Sequence, residues 1–189
     1  MAFYSVRKIV ENSIPVLMLT AMISIASGQI LSVNQGVLIG VFPVLLILIP
    51  PLIKVGGDTG SILGARLSSA LHLGLIDSKL ERSSVIENSI IASFIIGIAT
   101  CFILGIAVWT IQIILSINSN IGFVALVAIS TIAGAIQMLI MFSMTTVIAL
   151  LSHRFGMDPD DTVIPIITTS GDFFGIACIF LVMHLVGFI

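Results

Sequence analysis

Thr162-Val-Ile-Pro-Ile-Ile-Thr-Thr-Ser-Gly-Asp172-Phe-Phe-Gly-Ile-Ala-Cys-Ile-Phe-Leu-Val-Met183 decides how this chain folds. The run is apolar over more than the ~20 residues that a helix needs to cross a bilayer core about 30 Å thick. Its one charged side chain, Asp172, falls ten residues after Thr162. At about 1.5 Å of rise per residue that is ~15 Å inside, close to the midplane. An ionised carboxylate there costs at least about 2–3 kcal/mol. Asp172 is therefore read as a site residue. The plainer reading, a buried acid satisfied by a neighbour, finds no basic partner in any expected span.

The rest of the chain is the same kind of material. Of 189 residues, 58% are hydrophobic and only 8% charged, with a mean hydropathy of +1.28. Soluble domains carry roughly a quarter charged residues. Apolar runs of this length select helices over a barrel, so the expected class is an all-α integral membrane protein. A net charge of −2 without a basic cluster excludes nucleic acid as the partner. Arg7 and Lys8 precede an apolar stretch of full spanning length, read as a first membrane helix and not as a cleaved leader. Cys101 and Cys178 stand apart inside apolar runs, where Cys behaves as a small hydrophobe. No disulfide framework or thiolate metal site is expected.

Five spans are expected, at about 14–31, 37–55, 85–117, 121–151 and 162–189, as one domain over 1–189. The second is expected to be broken by Pro50-Pro51 and the glycines after it. The seven basic residues are Arg7, Lys8, Lys54, Arg66, Lys79, Arg82 and Arg154. They fall in the N-terminus, in or at the edge of the connection between spans two and three at about 56–84 (Lys54 through Arg82), and in that between spans four and five at about 152–161 (Arg154). By the positive-inside rule those are cytoplasmic, with the N-terminus in and the C-terminus out. The cell membrane is the expected location. All acids except Asp58 and Asp172 lie on that same side, and Asp58 is expected nearer the cytoplasmic surface than Asp172.

An internal echo pairs the two. Pro51-Leu-Ile-Lys-Val-Gly-Gly-Asp58 and Pro165-Ile-Ile-Thr-Thr-Ser-Gly-Asp172 align over eight residues. Like motifs on oppositely directed, Pro/Gly-interrupted spans are the pattern of a transporter's midplane site. Proline withholds a donor from the carbonyl four residues earlier, and Gly57 lets a ligand or another backbone approach. Thr168 and Thr169 lie one turn before Asp172 on nearly the same face. Carboxylate, hydroxyl and carbonyl oxygens suit a hard cation such as Mg²⁺, which binds through one or two carboxylates and keeps several waters. Asp158 and Asp161 either cap the last helix, as acids do, or concentrate cations at its mouth. Asp58 has two readings as well, a cap at the membrane surface or a ligand.

At these residues the chain resembles the membrane domain of the MgtE-type magnesium channels and transporters. That pattern has a Pro-rich second span leading into Gly-Gly-Asn-x-Gly, here Gly56-Gly57-Asp58-Thr59-Gly60 with Asp for Asn. Its fifth span follows Asp-Pro and carries Thr-Thr-x-x-Asp-x-x-Gly, matched by Asp158-Pro159 and Thr168-Thr169-Ser170-Gly171-Asp172-Phe173-Phe174-Gly175. Ala65-Arg66-Leu67-Ser68-Ser69-Ala70 is similar to a stretch of the related eukaryotic magnesium carriers. The resemblance implies a pore at the interface of two such domains, with Asp172 as central ligand of a hydrated ion. Asp58 stands beside the same ion and Asp158 at the cytoplasmic mouth. Mg²⁺ is the implied transported ion, with Co²⁺, Mn²⁺ or Ca²⁺ open. Bacterial members carry a cytoplasmic N-terminal domain and a CBS pair that close the pore, so the expectation is a half-size unit without them. It is expected to work in the lipid bilayer as a homodimer or with a second half-unit. Two other functions share these residues: an ion-coupled carrier or exporter using Asp58 and Asp172, and an intramembrane aspartyl protease. The protease is disfavoured, because neither acid sits in Gly-x-Gly-Asp and the two are expected at different depths.

Overall fold

A computed structural model of the chain describes residues 6–77, 83–117, 119, 121–157 and 159–188. They form α1 (Val6–Val33), α2 (Gln35–Gly40), α3 (Val44–His72), α4 (Ser84–Ile114), α5 (Phe123–Arg154) and α6 (Pro159–Leu185). Among the described residues there is no strand. Five of the helices, all but α2, are long and apolar enough to cross a membrane. The all-α, five-span class is thus the one the composition predicts.

The second span differs in detail from the sequence expectation. Residues 37–40 belong to the short α2, and α3 starts only after Pro43, which caps it. Helix α3 then runs through Pro50-Pro51 and Gly56–Gly60 without a break and ends at His72 instead of near Val55. Each proline removes one donor and crowds the turn before it, but neighbouring helices re-satisfy such turns in membrane proteins. Here Leu45, Leu48, Leu52, Leu63 and Leu67 are fully buried along one face of α3 and hold it in place on both sides of the prolines. The consequence is that residues 56–60, expected to interrupt the helix, are helical, and the helical pattern that the sequence shows after Gly60 is continuous with the second span.

Helices α3, α5 and α6 form the centre, with α4 packed on α3 and α5, and α1 laid against α6. Their facing surfaces carry apolar side chains at three- and four-residue intervals, such as Val163, Ile167, Ile176, Ile179 and Met183 on α6. That spacing is a helical stripe. Leu17, Met18, Met22 and Ile25 of α1 and Ile91, Ile95 and Ile103 of α4 point outward, as lipid-facing side chains do.

Between lipid-solvated helices there is little hydrophobic drive to associate, so close backbone packing at small residues carries more of the load. The centre of the fold is such a contact. A methyl group built on Gly171 would lie 2.7 Å from Cα and 2.9 Å from N of Gly57, and one built on Gly57 would lie 3.1 Å from the Thr168 carbonyl oxygen. Backbone meets backbone here, so no flexible side chain can yield. We expect Gly171→Ala to cost about 1–3 kcal/mol, the usual range for overpacking, read as a lowered unfolding midpoint in detergent. Gly28→Ala, where an added methyl meets nothing within 4 Å, should not lower it.

Candidate cation site

The touching glycines each immediately precede an aspartate. Asp58 is the central residue of α3 and Asp172 the central residue of α6. Because Gly57 and Gly171 are in contact, the two acids leave the helix crossing at one depth. This corrects the expectation that Asp58 is shallower, which rests on ending the second span at Val55. The equal-depth geometry also removes one of the two sequence objections to a protease.

The echo is reproduced in the packing. Gly57 abuts Thr168 on one side of the crossing and Gly171 abuts Gly57 itself. One turn further along each helix, Gly60 faces Ile167, and Gly175 faces Ile53, which is the counterpart of Ile167 in the aligned octets. The two oppositely directed helices therefore cross at equivalent positions.

Thr168 and Thr169 both lie one turn before Asp172, partly exposed. The Thr168 hydroxyl donates to the carbonyl oxygens of Ile164 (2.9 Å) and Pro165 (3.1 Å), and that of Thr169 to Pro165 (2.9 Å). Their protons are thus turned back onto the helix, which leaves oxygen lone pairs as the groups they offer outward. Asp158 lies outside the described residues. Of Asp161 the structure describes the backbone alone, in the first turn of α6.

Two residues central to the arrangement are not singled out by the sequence. The first is Lys54, expected in the connection after the second span. It lies inside α3, where its Nζ is 3.3 Å from Oδ1 of Asp58. The side chains are 60% and 53% exposed on the chain's surface. A basic residue therefore does stand in a span beside the acids. The signal for it is the i, i+4 spacing of Lys54 and Asp58, hidden when the prolines are treated as the end of the helix.

The second is Gln137 of α5, which is 1% exposed. Its Nε2 donates to the carbonyl oxygens of Ile53 on α3 (3.1 Å) and Gly171 on α6 (2.9 Å). One amide thus bridges both crossing helices within a turn of the aspartates. Side chains added at Gly56 or Gly175 would run into it. Eight residues on, the Thr145 hydroxyl donates to the Gly60 carbonyl oxygen (3.3 Å), so α5 grips α3 at two levels. A glutamine within an otherwise apolar run is the visible clue.

Along α3 the exposed face continues from Lys54 and Asp58 through Ser61, Ala65, Arg66 and Ser69. These residues are polar or small, and Ile62 is the large apolar side chain exposed among them. Among the described residues no three His, Cys, Asp or Glu side chains converge on one point. A single chain thus presents two carboxylates and hydroxyl or carbonyl oxygens, a set that matches a hard cation retaining much of its water.

Comparison with known proteins bears on the same stretch. The model of the MgtE family, described as a divalent cation transporter, matches residues 49–182. That range takes in the crossing, Gln137 and both aspartates. Solute carrier family 41 member 3 of Rattus norvegicus is 25% identical over 129 residues, which are 68% of this chain and 28% of that protein. Its Mus musculus counterpart is 24% identical over 129 residues, again 68% of this chain and 26% of the relative. Aligned, the chain spans little more than a quarter of the length of these relatives. No solved structure matches at the same stringency.

The bridge made by Gln137 yields a measurable expectation. Gln137→Met keeps the length of the side chain and removes both interhelical bonds, at a cost of about 1–2 kcal/mol by the strength of such bonds in membranes. Unfolding in detergent should show that loss. Ser143→Ala should not, since that exposed hydroxyl bonds only to Leu139 of its own helix.

Proposed function

This chain belongs to the MgtE family of divalent cation transporters, and from that premise we propose that it passes divalent cations, Mg²⁺ first, along the polar face of α3 and α6. The family is one of transporters and not of enzymes, which disposes of the protease reading. One observation carries the proposal. Lys54 and Asp58 are more than half exposed at the middle of a membrane-spanning helix, and Asp172 is level with them. Charges facing hydrocarbon at that depth are costly, and in membrane proteins they turn toward the protein interior or water. This face is therefore covered. A second copy of the chain would do so, bringing two Asp172 carboxylates to opposite sides of a water-filled path.

The chemistry fits the ion. Mg²⁺ dehydrates reluctantly and is held through one or two carboxylates with its remaining sites filled by water. Asp172 supplies the central carboxylate, directly or through a bound water. Thr168 and Thr169, whose protons are engaged on Ile164 and Pro165, present oxygen toward the ion's hydration shell. Gly57 lets α6 approach closely enough to set Asp172 level with Asp58, and Asp58 contributes a second carboxylate when it is free. Asp158 and Asp161, next to Pro159 in the sequence where α6 begins, draw cations to the mouth. Apart from Lys54 and Arg66, the basic residues lie near the N-terminal end of the chain, between α3 and α4, or at the close of α5. That end is assigned to the cytoplasm by the positive-inside rule.

The test is Mg²⁺ flux into liposomes holding the purified protein and an internal indicator. Asp172→Asn keeps the shape of the side chain and removes its charge. It should reduce flux to the level of protein-free liposomes while leaving the unfolding midpoint unchanged. Wild-type flux in Asp172→Ala would overturn the assignment.

A further inference from the structure

Resting on Asp172 as an ion ligand, we propose that Lys54 is a tethered cation that occupies the carboxylates of the path when no divalent ion is present and is displaced when one binds. Its role is selectivity against monovalent ions.

The position of Lys54 is the first ground. In the aligned octets it is the counterpart of Thr168, so each crossing helix carries one polar side chain a turn before its aspartate. On α6 that group is a hydroxyl; on α3 it is an ammonium, 3.3 Å from Asp58. Gly57 and Gly171 bring the two helices to backbone contact at this level.

Charge is the second ground. Asp58 and Asp172 together with Lys54 carry one net negative charge. The acid at position 58 therefore adds no net charge to the path as long as Lys54 stays paired. A divalent ion cannot share the same carboxylates with an ammonium a few ångströms away without strong repulsion. Once Lys54 leaves, two carboxylates match two positive charges. A sodium or potassium ion gains nothing by the same exchange. It replaces one positive charge with another, and it competes against a group held at high effective concentration by its own stem.

Mobility is the third. Exposed i, i+4 pairs are weak, and a basic residue placed before the acid is the less favourable order on a helix. The pair thus contributes little to holding α3 together. The lysine stem is flexible and the ammonium compact, and the side chain points away from its own chain's interior, toward the proposed water-filled path. A pair that is weak as a helix staple and costly at midspan calls for a role that uses the charge.

The experiment uses the full chain in liposomes and four proteins: wild type, Lys54→Met, Lys54→Arg and Asp172→Asn. Mg²⁺ half-saturation should fall about tenfold in Lys54→Met, ~1.4 kcal/mol, and flux should become sensitive to K⁺ concentrations that the wild type ignores. Lys54→Arg should retain the wild-type indifference to K⁺. In the wild type, saturating Mg²⁺ should raise the rate at which an amine reagent modifies Lys54, read by peptide mass spectrometry. Unchanged half-saturation and K⁺ insensitivity in Lys54→Met would overturn the tether, as would labelling of wild-type Lys54 that ignores Mg²⁺. Loss of flux in Asp172→Asn alongside either result confines the failure to Lys54. Full flux in Asp172→Asn overturns the ion site, and the tether with it.

Discussion

The contact between Gly57 and Gly171 is the constraint on which the rest of the molecule depends. Two helices that touch through their backbones at mid-membrane must both lack side chains at that point. The residue after each glycine is then thrown to the same depth on the outer side of the crossing. Here that residue is an aspartate in both cases. The neighbouring elements serve this geometry. Gln137 ties the carbonyls of Ile53 and Gly171 to a third helix, and Thr145 repeats the grip at Gly60. Leucines on both sides of the prolines keep α3 seated. Polar groups that bond across helices in this way fix register as well as distance, since a sliding helix would leave a buried amide unpaired.

Much of this is legible in the chain. Five apolar runs fix five crossing helices, because backbone groups in lipid have few other ways to be satisfied. The same arithmetic puts Asp172 at the middle of its span, where it is the central residue of α6, and the echo of two Pro-to-Asp octets pairs it with Asp58. The second span is not legible. Pro50-Pro51 and Gly56-Gly57 are strong local signals to stop a helix, and tertiary packing of α3 against α4, α5 and α6 overrides them. Ending the helix near the prolines counts Lys54 with the connection that follows and draws Asp58 toward the surface. Gln137 is hidden for a different reason. Its importance lies in contacts 84 and 34 residues away in the chain, and nothing in the sequence near Gln137 reports them.

The small residues carry two roles that sequence patterns do not separate. Gly134 and Gly97 face Cys101 and Met138 in the interior, where they only let helices come together. Gly57 does that too, buried against Thr168 and Gly171, yet it immediately precedes the exposed Asp58. Position relative to the exposed stripe of α3 distinguishes the two uses. The stripe is unusual for a membrane helix: charged, hydroxyl-bearing or small at Lys54, Asp58, Ser61, Ala65, Arg66 and Ser69, while the opposite face is leucine-rich.

Around its midpoint such a helix has one side suited to protein and one suited to water, and it also exposes Leu46 and Ile62. On α6, likewise, Val163, Ile167, Ile176 and Ile179 are buried and Thr168, Thr169 and Asp172 are partly open. A single chain can bury the leucine side of α3 by itself, and does. It cannot enclose the polar side, because its own α1 and α4 lie elsewhere. Covering that side with another copy of the same face would satisfy both helices at once. It would also convert a local likeness between two octets into an arrangement of four related helices around one axis. In that proposed arrangement charge would set the occupancy of the axis: each chain would bring two carboxylates and one ammonium, a path negative at rest that would welcome cations. The stoichiometry of Lys54 to aspartate would then decide whether those cations must carry two charges.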